Sequence, residues 1–331
     1  MTIEGVGAAN QYLGPRPGEL DEQAMAARGV IYAAQSRFEG PDVGYFPEGS
    51  ALRLVQSSRL VGLLYGQLGL AIGGTDPLNY IGTSEHTRDR ELPFRRLSET
   101  AQAFETIFFG SREKADQVIN RVTRMHNGVK GEMAEAAGPN PKGTPYSAYD
   151  PDRQLWTLAC MAYPAVSLYE ELEEPLSDLG REAFWQDYLL VGELFGLPRD
   201  KAPQTYQGFR DYMQGRFKSG ELHLTNAAKY MGKEICFNVP IPHCPAFVRK
   251  GMNALLLGML PPEIRDLYGL SYRQRQEDDF RRAASAVRLG KSPLPKSVIN
   301  GSNTYFFNQV IREEARLQTL GEQAAMPANA Y

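Results

Sequence analysis

Apolar residues recur at helical spacing through most of this chain, and few stretches alternate strictly over strand length. The clearest case follows Ser111, which can cap a helix. Ala115, Val118, Ile119, Val122, Met125 and Val129 form one apolar stripe, with Lys114, Gln117, Arg121 and Arg124 on the flanks or the other side. The pattern predicts one helix from Ser111 to about Met133, with His126 on the stripe. The helix before it spans Arg95–Phe109 and stops at Gly110. Leu97, Ala101, Phe104 and Phe108 make its apolar face, Thr100 sits at the edge, and Arg96 lies one turn earlier. The most apolar stretch, Leu52 to Ile72, is interrupted by Arg53, Gln56, Arg59 and Gln67, so it is a buried helix rather than a membrane span.

Further helices are expected from Asp150-Pro151 to Leu172 and, capped by Ser177, from Asp178 to Phe195. Others follow at 20–36, 202–215, 224–232, 245–259, 262–268, 272–289 and 303–317. Thr75–Pro93 is expected to be irregular, with a short helix around Asp76–Tyr80, and Gly138–Pro145 to be a rigid loop. The chain is therefore all-α with long loops. Residues 1–18 read as an irregular arm, 19–317 as one helical domain and 318–331 as a loose tail.

Composition narrows the partners. The net charge of −3 over 331 residues gives no global basic field, which argues against nucleic acid and anionic membrane as partners. Three cysteines without a CxxC suit reduced thiols, and the N-terminus shows no basic segment followed by an apolar one, so a cytoplasmic protein is expected. The oligomeric state is left open. There is no HExxH, no Cys/His zinc cluster, no GxSxG elbow and no CxxCH, so any haem would be held non-covalently.

Four histidines make one on an apolar stripe informative. His126 is either a core imidazole bonded to a carbonyl or a metal ligand, because burying it without a partner costs about 1–3 kcal/mol. Arg96 and Thr100, four apart, either cover the core and bond their own helix or together hold an anionic or oxygen-rich group. His86 sits in a polar loop.

Several blocks, taken in order, resemble the latex-clearing-protein or rubber-oxygenase family, which includes the MpaB-type oxygenases. They are Leu64-Tyr-Gly-Gln-Leu-Gly-Leu-Ala-Ile72, Gly82-Thr-Ser-Glu-His-Thr-Arg88, Pro93-Phe-Arg-Arg-Leu-Ser-Glu-Thr100 and Arg124-Met-His-Asn-Gly-Val-Lys-Gly131. Tyr146-Ser-Ala-Tyr-Asp-Pro151 and Leu260-Pro-Pro-Glu-Ile-Arg265 continue the series, and the resemblance runs from about Leu52 to Phe307. It implies a globin-like helical packing and a non-covalent haem b. It implies His126 as iron ligand, Arg96 and Thr100 beside the haem, and Arg124 among the cofactor-binding residues. His86 would line the distal side, making Arg96, Thr100 and His86 the catalytic candidates. Rubber-cleaving members carry a lysine immediately before the threonine, and this chain has Glu99 there. The expected activity is therefore that of an oxygenase using dioxygen or peroxide on a small lipophilic substrate. The rival reading is a haem-based sensor that turns nothing over.

Overall fold

The computed structural model describes residues 44–87 and 90–322; the arm and the helix expected at Leu20–Ser36 lie outside the described residues. Among the described residues there are fourteen α-helices, one 3-10 turn (Arg199–Lys201) and one two-stranded ribbon, so the fold is all-α as expected. In chain order the first elements are α1 (Ala51–Ser57), α2 (Arg59–Gly73), α3 (Pro77–Glu85), α4 (Pro93–Phe109) and α5 (Arg112–His126). The ribbon follows, β1 (Lys130–Glu132) with β2 (Pro145–Ser147). Then come α6 (Pro151–Leu172), α7 (Asp178–Leu194), α8 (Tyr206–Lys218), α9 (Asn226–Phe237) and α10 (Ala246–Met259). The last are α11 (Pro262–Tyr268), α12 (Gln274–Lys291), α13 (Lys296–Ile299) and α14 (Thr304–Leu320).

The core is built on α2 against α6, the most extensive helix pairing in the fold. Leu64, Leu68 and Ile72 meet Leu155, Trp156, Ala159 and Val166, all buried. The two backbones come close at Gly69, where a Cβ would stand 2.7 Å from the carbonyl oxygen of Cys160. That carbonyl lacks its helical donor, because Pro164, four residues on, has no N–H. The Trp156 indole donates to the Gly73 carbonyl at 3.1 Å, so the largest core side chain is both packed and hydrogen-bonded.

Three local expectations are corrected. The apolar run from Leu52 to Ile72 is two helices, broken at Ser58, whose backbone is extended (φ −62°, ψ 117°) and forms an isolated bridge with Asn300. The Ser58 hydroxyl donates to Glu173 Oε1 at 2.8 Å and accepts from the Val61 amide, so the break is anchored from another element. Thr75–Pro93 contains a full helix, α3. Asp76 caps it by accepting from the Leu78 and Asn79 amides at 3.0 and 3.1 Å, and Arg153 and Arg216 neutralise that carboxylate at 3.2 and 2.8 Å. Finally, α5 stops at His126 instead of Met133. The Asn127-Gly128 turn ends it, and the chain enters the antiparallel ribbon, in which Gly131 faces Tyr146. The last helix also runs further than expected, to Leu320, closed by Gly321 at φ 69°.

The helix that carries Arg96 and Thr100 is held from a distance. Leu92 gives α4 no side-chain cap; instead Glu314 of α14 accepts from the Phe94 and Arg95 amides at 2.8 and 2.5 Å. At α1, which Ser50 caps locally, Asp187 of α7 adds a second acceptor, taking the Leu52 amide at 3.0 Å.

Candidate functional site

Where α3 ends, α4 begins and α5 ends, a cleft of about 620 Å³ opens. α4 contributes Arg95, Arg96 and Glu99; the end of α3 contributes His86 and Thr87; α5 and its exit contribute Arg124, Met125, Gly128 and Val129. A larger open groove of about 980 Å³ runs between α1, the C-terminal half of α4 and the segment before α14, but none of the candidate residues and no histidine lines it.

Three of the five candidate residues, His86, Arg96 and Arg124, meet at the smaller cleft. The guanidinium of Arg96 is largely shielded from solvent. Its Nη1 donates to the Thr83 carbonyl at 3.1 Å and to the Thr87 hydroxyl, and no carboxylate pairs with it among the described residues. Burial pushes its pKa down. Thr87 is fixed in turn, donating to the Thr83 carbonyl at 2.6 Å. Arg124 is exposed on the cleft wall. Arg95 is exposed and tied to Glu99 at 2.9 Å.

His126 lies half-buried at the last position of α5, beside the cleft but not among the residues lining it. Burial first, and the Arg96 charge second, hold its pKa below the ordinary 6.5. A helix C-terminus would favour the imidazolium; desolvation and Arg96 outweigh that and keep the ring neutral. No hydrogen bond engages the ring among the described residues. Thr100 is exposed one turn beyond Arg96, also outside the lining.

His86 caps the end of α3, and its Nε2 lies 3.2 Å from the Tyr146 hydroxyl of β2. α2 and α6 pack closely against each other in the core and do not line the cleft. Sequence reasoning missed Thr83 and Thr87 as the acceptors of Arg96, Tyr146 as the partner of His86, and Met125 as a cleft residue. Met125 was placed in the core stripe, yet it is 59% exposed. Its signal was the Asn127-Gly128 turn, which ends the helix one residue after His126.

The described residues thus form a helical fold with a cationic, histidine-bearing cleft. Residues 54–289 match the family described as "ER-bound oxygenase mpaB/B'/Rubber oxygenase, catalytic domain". The chain belongs to this family, which makes it an oxygenase-type protein. It is 25% identical over 203 residues to an uncharacterized protein of Mycobacterium bovis, covering 61% of this chain and 76% of that one, and equally to one of Mycobacterium tuberculosis. The structure titled "Structure of Latex Clearing Protein LCP in the closed state" shares the fold at a TM-score of 0.51 and 15% identity. That match covers 95% of this chain and 85% of that one. Among the described residues no helix is long and apolar enough to cross a membrane.

Proposed function

We propose that this chain is a haem b-dependent oxygenase that acts on a small lipophilic molecule, with His126 as the iron ligand. The observation that carries the reading is a neutral imidazole near the desolvated Arg96; among the described residues the ring has no hydrogen-bond partner and the guanidinium faces no carboxylate. A neutral ring nitrogen has the lone pair that iron requires. A shielded guanidinium without a counter-ion suits a carboxylate such as a haem propionate, and Arg124 adds a second cation on the same cleft. These residues fit a non-covalently held haem.

When bound, haem supplies an iron at which dioxygen or peroxide is activated. The protein's own groups then have distinct tasks. Arg96, fixed by Thr83 and Thr87, holds negative charge in place without having to reorganise. His86, held by Tyr146, can hold or move a proton on the cleft wall. Thr100 would orient a polar atom above α4. Met125, Val129 and Leu92 give the cleft its apolar surface for a lipophilic substrate. Glu99, paired with Arg95, cannot act as a neutral amine over a metal, which favours a compact substrate over polyisoprene. Three free cysteines support a reducing compartment, the cytosol.

The absorption spectrum of the purified chain tests the cofactor. A Soret band that shifts on reduction is expected, and a haem-supplemented preparation without one refutes the reading. Oxygen uptake that depends on an added lipophilic substrate distinguishes an oxygenase from a gas-binding sensor.

A further inference from the structure

We propose that Tyr146 is a positioning residue for His86: its hydroxyl engages Nε2 and leaves Nδ1 as the imidazole nitrogen available to a ligand in the cleft. The inference rests on the reading of that cleft as the reacting site, and it concerns which nitrogen of His86 that site can use.

The geometry is specific on both sides of the contact. The Tyr146 hydroxyl lies 3.2 Å from His86 Nε2, and the two rings meet edge to face, with centroids 5.9 Å apart and planes at 70°. No other polar partner engages the His86 ring among the described residues. His86 itself is placed by the end of α3, where its own amide donates to the Ser84 carbonyl. Tyr146 is placed by the ribbon. It pairs with Gly131, and a Cβ at position 131 would stand 2.7 Å from the Tyr146 hydroxyl and 2.9 Å from the carbon that bears it. Only a glycine lets the phenol lie across the ribbon and reach His86. Behind it, a Cβ at Gly82 of α3 would lie 3.5 and 3.8 Å from the Val129 and Tyr146 side chains.

The ribbon therefore joins the two histidines of the site. One end of β1 is attached to the end of α5, where the Val129 amide donates to the His126 carbonyl at 2.9 Å. The paired strand carries the hydroxyl that holds His86. An imidazole with one nitrogen engaged has its ring orientation fixed and its tautomer biased by that bond, the same logic by which partners orient histidines in catalytic and metal sites. The contact allows either partner to donate. A phenol is a stronger acid than a neutral imidazole N–H, so Tyr146 is assigned the donor role, which places the ring proton on Nδ1 and makes the free nitrogen a donor. His86 then offers a proton to a cleft ligand and does not accept one.

Ring nitrogen spectra of the full chain, carrying 15N-labelled histidine, test this directly. If the preparation contains haem, it is reduced under carbon monoxide so that the iron is diamagnetic. His86→Asn identifies the His86 signals. The wild type should show one protonated and one bare nitrogen, with Nδ1 protonated. Tyr146→Phe keeps the aromatic packing and removes one oxygen; it should move the pair toward the exchange-averaged pattern. Gly131→Ala, which displaces the phenol without altering either polar group, should do the same. Reaction of His86 with diethylpyrocarbonate at fixed pH should rise several-fold in both variants, while His223 and His243 react as before. A tautomer pattern and reactivity at His86 that ignore both substitutions overturn the proposal. Failure of the functional reading shows separately, as a wild-type chain that takes up no haem.

Discussion

The α2–α6 pair and the α4–α5 pair are built from similar amphipathic helices, yet they are finished in opposite ways. Between α2 and α6, polar groups close on one another. Trp156 donates to the Gly73 carbonyl, and the carbonyl freed by Pro164 lies against Gly69 with no space for a side chain. Between α4 and α5 the lower turns are just as dry, with Ile107, Phe108, Ala115 and Ile119 buried. The ends toward the cleft differ: among the described residues His126 makes no hydrogen bond and Arg96, held by Thr83 and Thr87, pairs with no carboxylate, while Met125 is exposed. That end, unlike the closely packed α2–α6 pair, is where a ligand is proposed to sit.

Breaking the finished region should have the largest effect. Trp156→Ala removes a fully buried indole and should cost about 3–5 kcal/mol, read as a fall in the denaturant midpoint. A loss below about 1 kcal/mol would mean that the α2–α6 contact is not the main source of stability. His126→Ala should do the reverse. The Soret band should be lost or strongly weakened, while the helical circular dichroism and the denaturant midpoint stay close to wild type. Full haem content in that variant would remove His126 from the site.

Next in size is a pH effect from the anchors between elements. Burial pushes the Asp187 carboxyl up from 3.8 to about 7, against the pull of the Leu52 and Ala51 amides. Because the folded value is above the unfolded one, the folded state binds more protons between them, and stability falls as pH rises through that window. Asp187→Asn removes this contribution. The stability of the variant relative to wild type should therefore rise between about pH 4 and pH 7; a constant difference would show that the carboxyl titrates normally. The smallest effect belongs to the exposed rim. Arg95→Ala loses an ion pair worth about 0–1 kcal/mol and should leave haem retention nearly unchanged, whereas Arg96→Ala should lower it. Equal haem loss in the two would erase the distinction between rim and buried cation.

What the sequence made legible was local. The stripe through Ala115 and Ile119, the caps at Ser111, Asp150 and Ser177, and the resemblance blocks all depend on residues within a few turns of each other. What it hid was made by distant partners. Nothing near Ser58 announces a break, because the break is held by Glu173 and by the bridge to Asn300. Near Leu92 only Pro93 marks the helix start; the side-chain acceptor for its first amides, Glu314, is distant in sequence. The ribbon was missed because its strands are three residues each, too short to show alternation against the apolar stripe that precedes them. The site followed the same division: its histidines and arginines were visible, but the hydroxyls and carbonyls that aim them were not.

The close approach of Gly131 to Tyr146 has an evolutionary consequence. Positions 82, 86, 131 and 146 share one small volume, so a change at any of them alters what the others can be. In related chains a larger residue at 131 should coincide with a shorter side chain at 146, and the loss of that hydroxyl with a change at 86. These four positions should drift as a linked set, while Lys142, a few residues away on the same loop and exposed, varies freely.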